Sequence, residues 1–206
     1  EIIEEVIVQS AIVKSEVSTI ADPLHVISEA ELSSNPSQSL GETIDSLLGV
    51  ASADYGVAVG QPIIRGMSGT RVRVLNNGIV IRDVSSLGGD HANDVDFNHA
   101  QQVEIIKGPA SLLYANGIIG GIVNVVDDTI ARTDVEGVDI SLGLETQSVN
   151  EGDAQTASIA TNIGGFNVFA AYSDSDLENY DVPDGAVIHE EEEHHDEDEH
   201  EGEEEH

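Results

Sequence analysis

Cysteine is absent from the 206 residues. That removes disulfides, thiolate metal sites and cysteine nucleophiles together. Aromatic residues are 3% of the chain, thin for a core of this size. Basic residues are scarcer still: seven Lys and Arg stand against 40 Asp and Glu, for a net charge of -33. A chain of that charge is repelled by phosphate backbones and attracts cations, which excludes nucleic acid as a partner. No apolar run approaches the roughly 18 residues of a membrane-spanning helix. No Ser-His-Asp order, P-loop or HExxH motif is present, so no enzyme is expected. No period of 20 to 50 residues repeats. No signal peptide is visible and the chain opens on Glu1 rather than Met, so a processed or trimmed product is expected.

What is present in excess lies at the end. Residues 189–206, "HEEEEHHDEDEHEGEEEH", hold five His, 12 acids and one Gly. Nothing there can fold by burial.

Upstream, composition separates three regions. "EIIEEVIVQSAIVKSEVSTI" carries a short β-branched run among acids. Residues 21–130 read as a mixed α/β unit. In "SQSLGETIDSLLGV", Leu40, Ile44, Leu47 and Leu48 fall at helical spacing after a Ser-rich start, and Gly49 ends the helix. "PIIRGM" and "RVRVLNNGIVIRD" read as strands, and Asn77-Gly78 is the strongest short hairpin signal. "QQVEIIKGPASLLYANGIIGGIVNVVDD" predicts strand, Gly-Pro break, short helix, Gly-rich turn and strand. In residues 137–180 the period changes to two. Val138, Ile140, Leu142 and Leu144 alternate with Asp139, Ser141, Gly143 and Glu145, and two further strands meet at Gly164-Gly165. This alternation suits a transmembrane β-barrel strand, and it suits a soluble antiparallel sheet with one wet face equally.

"VEIIKGPASLLYANGIIGGIVNVVDD" closely resembles a motif in the plug domain of TonB-dependent outer-membrane receptors. The matching residues are Val103, Glu104, Gly108, Pro109, Ser111, Leu113, Tyr114, Gly120, Gly121 and Asn124. Ile64, Arg65, Gly66, Arg71, Val72 and Gly78 resemble the earlier plug hairpin. Lys107 stands where the family has Arg, and Ala115-Asn116 where it has Gly-Ser or Gly-Asn. The resemblance covers roughly residues 25–130 in unbroken order. It implies an α+β plug with a mixed sheet, followed by antiparallel strands of a truncated transmembrane β-barrel. Expected boundaries are 1–20 for a TonB-box segment, 21–132 for the plug, and 133–206 for the start of the barrel, with an acidic His-rich loop at 181–206. Plugged transporters have about 22 strands, so three strands are expected to be the beginning of a longer barrel.

The resemblance also supplies partners. "EEVIVQSA" is similar to the TonB box, so Glu5, Val6, Ile7, Val8 and Gln9 are expected to add a strand to TonB, the energising protein of the inner-membrane complex. Five of the seven basic residues (Arg65, Arg71, Arg73, Arg82 and Lys107) fall within residues 21–130 and would need carboxylates on the barrel wall. With the plug toward the periplasm and the first strand running outward, three crossings deliver residues 181–206 to the cell surface. The chain is then an outer-membrane protein of a Gram-negative bacterium, in contact with outer-membrane lipid.

His189, His194, His195, His200 and His206 on such a loop read as a metal collector. Neutral imidazole suits Zn, Cu, Ni and Fe. Cu(I) prefers sulfur, which is nearly absent, and an anionic iron chelate or haem is repelled by the acids. Zinc is favoured as the transported substrate, with nickel or cobalt open. A collector needs a specific site beneath it. "GGDHANDVDFNHA" resembles the Asp-His-Ala segment at the plug apex of zinc-uptake receptors, which implies Asp90 and His91 as plug-side ligands. Asp94, Asp96 and His99 stand in reserve, and His25 reads as incidental. The alternatives are a haem or siderophore receptor of the same family, or a soluble metal-buffering module.

Overall fold

The computed structural model describes residues 7–8, 15–16 and 24–179, except 36, 38, 57, 94, 96–98, 109–110, 112–117, 132 and 149, together with residue 183. Near the N-terminus, β1 (Ile7–Val8) pairs antiparallel with β2 (Ser15–Glu16). The plug follows: β3 (Leu24–Ser28), α1 (Glu29–Ser34), α2 (Leu40–Ile44), β4 (Val50–Asp54), β5 (Gly60–Ile64), β6 (Val72–Asn76), β7 (Ile79–Val80), β8 (Ala100–Lys107) and β9 (Gly121–Asp127). Its main sheet has the order β3-β8-β9-β6-β7 and is mixed: β6 runs parallel to β9, and the other pairs are antiparallel. A β4-β5 hairpin forms a second, small sheet.

Every residue of β9 is buried. A strand covered on both faces must be apolar throughout, and "GIVNVVD" is, apart from Asn124 and the terminal Asp127. On one face Val103, Ile105, Val123 and Val125 pack with Leu40 and Ile44 of α2 and Ile64 of β5. On the other, Ile106, Ile122 and Leu75 pack with Ile118. The Gly120-Gly121 turn is a demand for space. A Cβ on Gly121 would lie 2.7 Å from the Ile106 carbonyl oxygen, and one on Gly120 2.9 Å from Val72 Cγ2.

The hairpin predicted at Asn77-Gly78 is present, with φ of 48° and 81°. Two successive left-handed residues match the right-handed twist of the flanking strands. Its floor is polar. Asn77 Nδ2 donates to Asp127 Oδ1 at 2.7 Å, Asn76 Nδ2 to Oδ2 at 3.1 Å, and the Thr129 amide to Oδ1 at 2.9 Å. Burial pushes the Asp127 pKa up. The hydrogen bonds from Asn77, Thr129 and Asn76 outweigh it, and the carboxyl titrates below its ordinary value.

The motif residues Glu104 and Asn124 face each other across β8 and β9 and are fully buried. Asn124 Nδ2 donates to Glu104 Oε2 at 2.9 Å, Gln102 Nε2 donates to Glu104 Oε1 at 2.8 Å, and the Gly78 amide donates to Asn124 Oδ1 at 2.8 Å. One amide therefore ties β8 and β9 to the β6–β7 hairpin. Asn124→Ala strands a carboxylate oxygen and an amide donor, each costing roughly 1–3 kcal/mol. A loss of about 2–4 kcal/mol is expected, read as a lowered thermal midpoint of the plug. An unchanged midpoint would show the network to be dispensable.

The helix expected through Leu48 is shorter. Beyond Ile44 the chain closes successive three-residue turns, with Leu47 N bonded to Ile44 O and Val50 N to Leu47 O. It turns at once into β4, which packs on α2, so Leu48 is left exposed. The short helix expected after Gly108-Pro109 lies outside the described residues, apart from Ser111. That buried hydroxyl donates to the Gly108 carbonyl at 2.6 Å.

Residues 138–176 are three long antiparallel strands, β10 (Val138–Gln147), β11 (Gly152–Ile163) and β12 (Phe166–Asp176). They have 10, 12 and 11 residues, enough for a tilted strand to cross a bilayer. Register aligns Ile140 with Ile159 and Ala170, and Leu142 with Ala157 and Tyr172. One face is thus an apolar band, with Val138, Ile140, Leu142 and Leu144 each at least 62% exposed. The opposite face carries Asp139, Ser141 and Glu145. Together with Glu29, His99 and Asp128 of the plug it bounds a polar cavity of about 550 Å³.

Candidate functional site

The segment expected to carry cargo ligands is the connection between β7 and β8. It is fastened from within. The Ser85 hydroxyl lies 2.6 Å from Asp83 Oδ1 and 3.2 Å from Asn93 Oδ1. It is also fastened to the β4-β5 hairpin, because Asn93 Nδ2 donates to the Gly60 carbonyl at 3.4 Å and Gln61 Nε2 donates to the His91 carbonyl. Two loops distant in sequence thereby become one platform.

On this platform Asp90 and His91 are adjacent and exposed, with Asp90 Oδ1 3.9 Å from His91 Nε2. Zinc–ligand bonds near 2.0–2.1 Å set the edge of a tetrahedron at about 3.4 Å. The pair is therefore within about half an ångström of the spacing that one shared ion requires. Two ligands complete half of a tetrahedral site. Among the described residues no group of three His, Asp or Glu is close enough to hold a metal.

The remaining sequence candidates fall elsewhere. His99 opens toward the barrel strands, its ring edge-on to Phe169 of β12 with centroids 6.4 Å apart. Asp94 and Asp96 lie outside the described residues, as do His189, His194, His195, His200 and His206. Of the TonB-box residues, Ile7 and Val8 form β1, opposite Glu16 and Ser15, while Glu5, Val6 and Gln9 lie outside the described residues. His25 lies in β3 opposite Ile105. Burial, then the charge of Lys107, lowers its pKa, which suits a structural rather than a cationic role.

Lys107, expected among the plug cations, is 4% exposed and donates from Nζ to the Leu48 carbonyl at 2.5 Å. Burial, then the nearby Arg65 charge, lowers its pKa. Arg65 itself holds a left-handed φ of 52°, and its guanidinium nitrogen lies 3.2 Å from where a Cβ on Gly108 would stand. Among the described residues neither cation has a carboxylate within salt-bridge reach. Gln61, Asn93 and Tyr55, which shape the platform, were not singled out from sequence. Their partners are about thirty residues away or more, and no local pattern reports such contacts.

Residues 16–122 match the TonB-dependent receptor plug domain. The chain is 27% identical over 161 residues to the vitamin B12 transporter BtuB of Vibrio vulnificus, a match that covers 77% of this chain and 26% of that protein. It thus spans about a quarter of the relative's length. In fold it is similar to the copper transporter OprC, with a TM-score of 0.63 at 19% identity over 75% of this chain and 24% of the other. It is similar also to a variant of the ferric enterobactin receptor PfeA of Pseudomonas aeruginosa, with a TM-score of 0.57 at 18% identity over 77% of this chain and 25% of the other. With β10–β12 the fold resembles a plug followed by part of a receptor barrel. The plug motif, the mixed sheet that buries it and the strands that follow establish that this chain belongs to the TonB-dependent receptor family.

Proposed function

We propose that the receptor imports a divalent metal, zinc, across the outer membrane of a Gram-negative bacterium, with TonB and its inner-membrane complex as the energy source. The carrying observation is the Asp90–His91 pair, an imidazole and a carboxylate 3.9 Å apart on an exposed, doubly fastened loop. Family membership does not select the cargo, since the relatives' names include vitamin B12, ferric enterobactin and copper. The donor set is what favours zinc in this reading. Imidazole with carboxylate and no thiol suits zinc in a tetrahedral site, with nickel and cobalt the nearest competitors.

In this reading the plug faces the periplasm and β10, β11 and β12 run out, in and out. Residues 181–206 then stand outside the cell, and His189, His194, His195, His200 and His206 gather the ion at low concentration. Asp90 and His91 receive it inside the barrel, where wall residues complete the shell. TonB takes Glu5 to Gln9 as an added strand and pulls, which shifts the plug and frees a path past the acidic inner face of Asp139 and Glu145. Arg65, without a carboxylate in salt-bridge reach among the described plug residues, is left for acids of the wall, while Lys107 is held inside the plug by the Leu48 carbonyl. Uptake of radioactive zinc, in competition with vitamin B12, haem and a ferric siderophore, tests the choice of cargo.

A further inference from the structure

The turn between β6 and β7 is Asn77-Gly78. Asn-Gly is the dipeptide most open to deamidation, because glycine has no side chain to keep its backbone nitrogen away from the neighbouring amide. That nitrogen attacks the asparagine Cγ. The Cγ–Nδ2 bond breaks, and ammonia leaves with the proton the nitrogen gave up. Water then opens the cyclic imide to aspartate or isoaspartate. The turn is wet: Gly78 is exposed, and the next residue, Ile79, is 70% exposed. Exclusion of water therefore does not protect this bond.

Hydrogen bonds do. The Gly78 amide, which is the nucleophile, donates to Asn124 Oδ1 at 2.8 Å, and Asn124 is itself fully buried. The Asn77 side-chain amide is held at both ends. Its Nδ2 donates to Asp127 Oδ1 at 2.7 Å and to Asn76 Oδ1 at 2.8 Å, and its Oδ1 accepts from the Asp127 amide at 3.2 Å. Ring closure needs the Gly78 nitrogen to leave Asn124 and the Asn77 Cγ to turn toward it. We infer that Asn77 is a latent deamidation site, closed by Asn124 and Asp127 of β9 and opened when the β6–β7 hairpin lifts from that strand. The change is not reversible. Aspartate at this position sets a carboxylate where an amide now donates to Asp127, and like charges in contact repel. Isoaspartate adds a methylene to a two-residue turn whose geometry fixes the strand register.

The detergent-purified receptor is incubated in heavy-oxygen water at mildly alkaline pH, below the thermal midpoint of every variant used. Peptides are then read by mass for label at position 77. Asn77 in the folded receptor should deamidate at least roughly 10-fold more slowly than in the same chain held in guanidinium, since only the locally open population reacts. Asn124→Ala frees the Gly78 nitrogen, and Asp127→Ala removes the acceptor of the Asn77 amide. Each should speed the reaction in the folded receptor by roughly 10-fold. Leu40→Ala loosens the core on α2 without touching these bonds, and should leave the rate at 77 unchanged. Asn77→Asp, the product made directly, should lower the thermal midpoint of the plug, and adding Asp127→Asn should restore it by returning one amide to the pair. A folded-state rate equal to that in guanidinium, no acceleration by either β9 variant, or equal acceleration by Leu40→Ala would overturn the closure. A wild-type midpoint in Asn77→Asp would overturn the damage done by the product.

Discussion

Ile7→Pro is expected to reduce zinc uptake to the level of cells without the receptor, while zinc binding by the purified protein stays as it was. The reasoning begins with the backbone. A strand added to a sheet edge is held mainly by main-chain hydrogen bonds. Proline lacks the N–H and fixes φ near -65°, so it cannot occupy a ladder position. Ile7 and Val8 already adopt strand geometry, opposite Glu16 and Ser15, so the segment is extended before any partner arrives. Its β2 partner is only two residues long. Val6→Pro should behave alike. Ile7→Val, which keeps both the N–H and the β-branch, should transport normally. Asp90 and His91, the proposed ligands, lie in a different segment from Ile7, so binding is expected to be spared. Normal uptake by the Pro variants, in cells whose native receptor is deleted, would remove these residues from coupling.

The second large effect separates gathering from handover. Replacing Asp90 and His91 together with Ala removes half of a tetrahedral shell. Uptake should fall at every zinc concentration, by more than the roughly 10–100-fold that an outer-shell loss costs. Deleting residues 189–206 removes five imidazoles and 12 carboxylates from the chain but leaves the platform intact. Uptake should then fall at scarce zinc and recover at abundant zinc. Acid should weaken the gathering step, since protons and zinc compete for the same nitrogens. Loss at all concentrations from the deletion, beside normal uptake by the Asp90/His91 variant, would reverse the two roles.

Where sequence reading succeeded, the cause was local or strictly periodic. Asn77-Gly78 forms its hairpin because two left-handed residues are needed and those two tolerate them. Residues 138–176 announced themselves by alternation, since a barrel wall has one apolar and one polar face. The helix at 40–48 was overread. Helical spacing of Leu47 and Leu48 is compatible with a helix, but the need to fold β4 back over α2 ended it at Ile44. Asp90 and His91 are proposed as ligands through resemblance, and the structure places the two side chains 3.9 Å apart. Tyr55 beside Gly89, Gln61 on the His91 carbonyl and His99 against Phe169 were invisible, because each joins segments about thirty residues apart or more. Asn124 and Glu104 are legible in the sequence as motif residues. The reason for both letters is one buried amide–carboxylate pair that closes the sheet.

The most direct test of a TonB-coupled zinc receptor is uptake of radioactive zinc by cells that lack their own receptor, make this one, and either contain or lack TonB. The expected result is saturable zinc entry that requires both the receptor and TonB and resists excess vitamin B12, haem and ferric siderophore. Zinc entry that does not depend on this receptor, or TonB-dependent entry of one of those competitors in place of zinc, would contradict it.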